Sequence, residues 1–88
     1  MAKVMAIVKV MPEDVDVDLE KLKEDIKSCL PSNVSLEKTI VEDVAFGIKA
    51  LKLFLLLPEE EGGTSKVEEA LSNVKGVGQV DVELVTRV

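Results

Sequence analysis

Eighty-eight residues with a net charge of -6 make one acidic domain, residues 1–88, with no histidine and a single cysteine, Cys29. An apolar content of 47% excludes a disordered chain, and the acidic balance excludes the basic face of a nucleic-acid binder. A lone thiol excludes an internal disulfide, an iron–sulfur cluster or a four-cysteine zinc site, and the lack of histidine removes the commonest general base.

The first element runs from Met1 to Met11. It alternates, with Val4, Ala6, Val8 and Val10 on one face and Lys3, Met5, Ile7 and Lys9 on the other, which is the period of a half-buried strand. The stretch is too short and too charged to span a membrane and carries no small-residue cleavage site, so the expected location is the cytoplasm. Pro12 ends the strand. Asp18 suits the N-cap of a helix whose apolar stripe is Leu19, Leu22, Ile26, Cys29 and Leu30, with Cys29 a small core residue. Pro31, Ser32 and Asn33 stop that helix.

A second strand over 34–41 alternates weakly, and Glu42-Asp43 is the expected turn into a third strand over 45–57. From Leu53 onward the third strand is apolar on both faces, the mark of a central position. Pro58, Glu59–Glu61 and Gly62-Gly63 form a solvated loop, after which Ser65-Lys66-Val67-Glu68 has the spacing of a capping box. Val67, Ala70, Leu71 and Val74 are the buried stripe of the second helix, and Gly76 its C-cap. The last strand sets Val80, Val82 and Leu84 against Asp81, Glu83 and Arg87.

The order β-α-β-β-α-β predicts an α+β fold: a ferredoxin-like βαββαβ two-layer sandwich, with a four-stranded antiparallel sheet and two helices on one face. Strands one and three take the centre. The fold alone leaves function open. The glycines have the wrong spacing for a phosphate cradle, and Asp14, Asp16 and Asp18 lack the glycine and distal glutamate of a calcium loop, so no metal or cofactor is expected. An acylphosphatase needs an arginine and a glycine after strand one, where 11–18 has neither. An RNA-recognition sheet needs stacking aromatics where strand one offers Met5 and Ile7. The open sheet face, with Lys3, Met5, Ile7, Lys9, Val85 and Arg87, is apolar in patches and rimmed by charge, which suits a partner.

The segment Val44-Ala45-Phe46-Gly47-Ile48-Lys49-Ala50-Leu51 resembles the "(I/V)-(A/G)-(F/Y)-G-I-K-K-L" motif of the guanine-nucleotide exchange domain family of elongation factor 1-beta. The ending from Gln79 to Arg87-Val88 and the opening Val-Lys-Val-Met-Pro are similar to the same family, so the resemblance covers essentially the whole chain. It implies an exchange factor for the elongation factor 1-alpha GTPase, not an enzyme with its own active site; a monomer without cofactor is expected, and the acidic balance and charged opening strand argue against nucleic-acid and membrane partners. The resemblance makes Phe46, Gly47, Lys49, Arg87 and Val88 the partner-binding residues. It assigns Phe46 as the aromatic that meets the GTPase and the penultimate position as the cation that approaches its magnesium and phosphate site. Here that position is Arg87 rather than the family's lysine, a planar fork in place of a point charge. Ala50 stands where eukaryotic members have a second lysine. The plain alternatives are a core or sheet-face filler at Phe46 and an ordinary charged end at Arg87. A second reading of the whole chain is a small-molecule-binding or dimerising regulatory module.

Overall fold

A computed structural model describes residues 3–59 and 63–88. The elements are β1 (Lys3–Pro12), α1 (Leu19–Cys29), β2 (Ser35–Ala45), β3 (Ile48–Pro58), α2 (Gly63–Ser72) and β4 (Val77–Arg87). All four strands join one antiparallel sheet in the order β2-β3-β1-β4, so the two most apolar strands are central, as their composition predicts.

Directly paired residues share a sheet face. Val4, Ala6, Val8 and Val10 of β1 lie opposite Leu57, Leu55, Leu53 and Leu51 of β3, giving four consecutive apolar rungs. Every one of these side chains is buried, together with Leu22 and Ile26 of α1 and Val67 and Leu71 of α2. Burying a leucine or valine of this kind contributes about 1.5–3 kcal/mol each, so these rungs are the main apolar contribution to a small core. Asp18 caps α1 as expected, its Oδ1 accepting from the backbone N–H groups of Glu20 (3.0 Å) and Lys21 (3.4 Å). Cys29 is half-buried against the core, and burial pushes its thiol pKa up.

Four expectations need correction. The turn between the second and third strands is Phe46-Gly47, not Glu42-Asp43, and β2 continues to Ala45. Glu42 stays in the strand because it meets Lys9 at 3.3 Å and Lys52 at 3.6 Å across the sheet. In β4 the pairing shifts between Ile7 and Val8, where Leu84 and then Val82 are the partners. The extra residue at Glu83 is a β-bulge, and it reverses the facing of all that follows. Val85 and Arg87 thus pair with Ala6 and Val4 on the helix-bearing side, while Leu84 and Thr86 join Ile7 and Met5 on the open face. Third, α2 begins at Gly63, which places Ser65 inside the first turn rather than at the cap. Finally, Gly76 lies beyond the end of α2 in a separate turn, with φ of 98°, and its carbonyl accepts from Glu13 N at 2.9 Å. The loop expected over 59–61 and at Gly62 lies, Glu59 apart, outside the described residues.

Gly78 is needed at the start of β4 for a close approach. A Cβ there would stand 2.9 Å from the Pro12 carbonyl oxygen and 3.0 Å from Glu13 Cα, both backbone atoms that cannot swing aside. Gly78→Ala is expected to destabilise the fold by about 1–3 kcal/mol, the usual cost of forcing atoms into a packed site. Denaturant melts of the two proteins would show a lower midpoint at unchanged slope.

Candidate partner-binding site

The β2–β3 hairpin turns through Phe46 and Gly47 alone, with Ala45 opposite Ile48. Both turn residues have positive φ, 52° and 78°. A two-residue hairpin loop with both φ values positive is the type I′ arrangement, which matches the twist of the flanking strands and favours Asn-Gly. Gly47 meets that requirement without strain. Phe46 does not: a side chain in the left-handed region costs roughly 1–2 kcal/mol through crowding of Cβ against the carbonyl. Phe46 is also 97% exposed, so burial returns nothing for that cost. A sheet-face or core role for the ring is thereby removed.

Around this tip, Lys49 is exposed and sits 4.0 Å from Asp43 across the hairpin. A shallow depression lies beside it, lined by Pro12, Asp14, Val15, Val17, Leu19, Gly47 and Lys49. Val15, at the tip of the β1–α1 loop, is 59% exposed, and Val44 is exposed as well. The loop itself is ordered by local bonds, since Asp14 Oδ1 accepts from Asp16 N at 2.8 Å and Asp18 caps α1. These aspartates therefore serve turn and cap geometry. Among the described residues no cluster of three or more acidic, cysteine or histidine side chains could hold a metal ion.

Arg87 and Val88 lie elsewhere. Val4 pairs with both Arg87 and Leu57, which puts the chain end beside the last residues of β3, whereas the Phe46 turn precedes the first. The nine steps from Ile48 to Leu57 at ~3.3 Å each separate the two by about 30 Å, along the 42 Å long axis of the molecule. The structure brings Phe46, Gly47 and Lys49 together at one end and Arg87 with Val88 at the other. It does not bring the two groups into one site.

At the second end Val88 N donates to the Lys3 carbonyl at 3.1 Å, continuing the ladder. Val88 lines an apolar cleft with Lys3, Met5, Leu56 and Glu37. The Arg87 guanidinium is bonded to the Glu59 carboxylate, just past the end of β3.

Between the ends, the open sheet face carries a belt of charge. Glu42 bonds Lys9 and Lys52, and Lys52 bonds Glu83 at 3.3 Å. The hydrogen bond from Lys9, followed by the positive charges of Lys9 and Lys52, holds the Glu42 carboxyl below its usual range. Lys52 is raised, chiefly by its hydrogen bond to Glu83. This belt interrupts the apolar patch that the alternation of β1 suggests, and the lysines at its centre are already neutralised.

Sequence reasoning missed the exposure of Val15, the bulge at Glu83 and the partner of Arg87. Val15, an isolated valine among Glu13, Asp14 and Asp16, is a signal that was available for the first. The other two depend on pairing between distant segments.

A family model described as "EF-1 guanine nucleotide exchange domain" matches residues 5–88. The chain is 49% identical to "Elongation factor 1-beta" of Staphylothermus marinus over all of this chain and 99% of that protein. It is 48% identical to the protein of the same name in Methanosarcina barkeri, with both chains covered in full. Among solved structures, the ACT domain from a GTP pyrophosphokinase of Chlorobium tepidum superposes with a TM-score of 0.68 at 15% identity, covering 92% of this chain and 86% of that one. The C-terminal domain of MgtC from Mycobacterium tuberculosis gives 0.65 at 15% identity, covering 94% and 86%. At such identities these two likenesses establish the ferredoxin-like fold alone.

Proposed function

The chain belongs to the family of EF-1 guanine nucleotide exchange domains, and from that premise we propose that it promotes release of GDP from elongation factor 1-alpha without covalent chemistry of its own. The observation that carries this reading is Phe46, held fully exposed on a strained two-residue turn. Strain kept at an exposed aromatic points to a task in binding, because folding gains nothing from it.

In this reading Phe46 is the apolar anchor, supported by Gly47, whose positive φ closes the turn, and by Lys49 beside it. Arg87, with Val88 at the far end, is the cation that competes with magnesium at the nucleotide phosphates. Separate ends suit a factor that grips its GTPase at two points about 30 Å apart and so holds one conformation of it. Exchange then follows from linkage. A factor that binds the nucleotide-free GTPase more tightly than the GDP-bound form weakens GDP binding by the same factor. A thousandfold faster release needs about 4 kcal/mol off the barrier, within reach of one buried aromatic and one well-placed cation.

The linkage gives a direct test. Titration of this protein into nucleotide-free and GDP-loaded elongation factor 1-alpha is expected to show markedly tighter binding to the empty form. Equal affinities would remove the exchange reading, since a ligand indifferent to two states shifts neither.

A further inference from the structure

The Arg87 guanidinium, the group assigned above to compete with magnesium, is occupied in the free protein. Its Nη2 bonds Glu59 Oε1. The two side chains differ in freedom: Arg87 is 78% exposed and Glu59 34%. Glu59 directly follows Pro58, the end of β3, and Pro58 is fixed opposite Lys3. The backbone at Arg87 is fixed too, by pairing with Val4 and by the bond from Val88 N to the Lys3 carbonyl. The bulge at Glu83 is what turns Arg87 to this side of the sheet. Without it, the side chain would face the open side with Met5.

We infer that Glu59 is a positioning residue that restrains Arg87 in the free protein and must release it when the GTPase is engaged. This rests on the exchange reading and deepens it. A guanidinium bonded to a carboxylate presents little net charge to phosphates. Carrying Glu59 along into a phosphate site would set like charges together, so the pair must part as Arg87 enters. The restraint is small because the pair is solvent-exposed, of the class whose loss changes an equilibrium by about two- to fivefold.

The test uses the full chain and release of a fluorescent GDP analogue from elongation factor 1-alpha, read as half-saturating concentration and maximal rate. Glu59→Gln is expected to raise the maximal release rate about two- to fivefold, with the gain shrinking in high salt as screening weakens the pair. In an Arg87→Ala background the same substitution is expected to change nothing, because the interaction it relieves is gone. An unchanged or lowered maximal rate for Glu59→Gln would overturn the restraint. An equal gain in the Arg87→Ala background would overturn it too, showing that Glu59 acts by its own charge. Both results leave the exchange reading standing, provided the unsubstituted protein accelerates release. No acceleration by that protein would end the exchange reading and the restraint together. Thermal melts of Glu59→Gln are expected to match the parent, which separates the effect from folding.

Discussion

Phe46→Asn is expected to raise the stability of the protein while sharply weakening its hold on elongation factor 1-alpha. The two effects have separate origins at one residue. Asparagine tolerates the left-handed conformation that Phe46 adopts at φ of 52°, and Asn-Gly is the favoured pair for a type I′ turn. Relief of the crowding is worth about 1 kcal/mol, or roughly 4–8 °C in a domain of this size. No burial is lost in exchange, since the ring stands 97% exposed in the free protein. At the interface the outcome reverses. Removing a central aromatic anchor costs about 2–4 kcal/mol, which is roughly a 30- to 1,000-fold rise in the half-saturating concentration. Calorimetry and GDP-release titrations on the same preparation check both halves. A variant that melts higher and still exchanges normally would show that Phe46 is not the anchor.

Arg87→Ala is expected to act on rate rather than on attachment. If the guanidinium competes with magnesium, its loss lowers the maximal release rate by about 10- to 100-fold, or roughly 1.4–2.8 kcal/mol of barrier. Half-saturation should move much less, because the Phe46 end, about 30 Å away by strand length, is untouched. The gap between the parent protein and Arg87→Ala should narrow when free magnesium is depleted, because there is then little ion left to displace. Arg87→Lys, the residue that the family resemblance implies at this position, is expected to keep most of the rate, as a point charge needs no planar partner. Full rates from Arg87→Ala at saturation would return Arg87 to an ordinary charged chain end.

Much of the architecture was legible because two patterns in the sequence are unambiguous. The alternation of β1 and the two-sided apolarity of β3 identify the central strands, and Asp18 marks where α1 begins. What the sequence concealed falls where local chemistry misleads. Glu42-Asp43 has the look of a turn because its cross-strand cations, Lys9 and Lys52, are far away in sequence. Phe46 does not look like a turn residue because its side chain is wrong for one, and that conflict is what the proposed anchor role rests on. The bulge at Glu83 has no composition of its own, yet it decides which way Arg87 faces. The pairing of Arg87 with Glu59 joins segments 28 residues apart and could emerge only from the folded sheet. The proposed partner-binding residues were suggested by family resemblance. Their division between two ends of the sheet was not, since a motif carries no distances.

The account is tested most directly by release of a fluorescent GDP analogue from elongation factor 1-alpha with this protein present at a small fraction of the GTPase concentration. Faster release of the entire bound pool is predicted, because an exchange factor turns over and one copy serves many GTPases. Release at the spontaneous rate, from a GTPase that still empties when magnesium is chelated, would contradict the account.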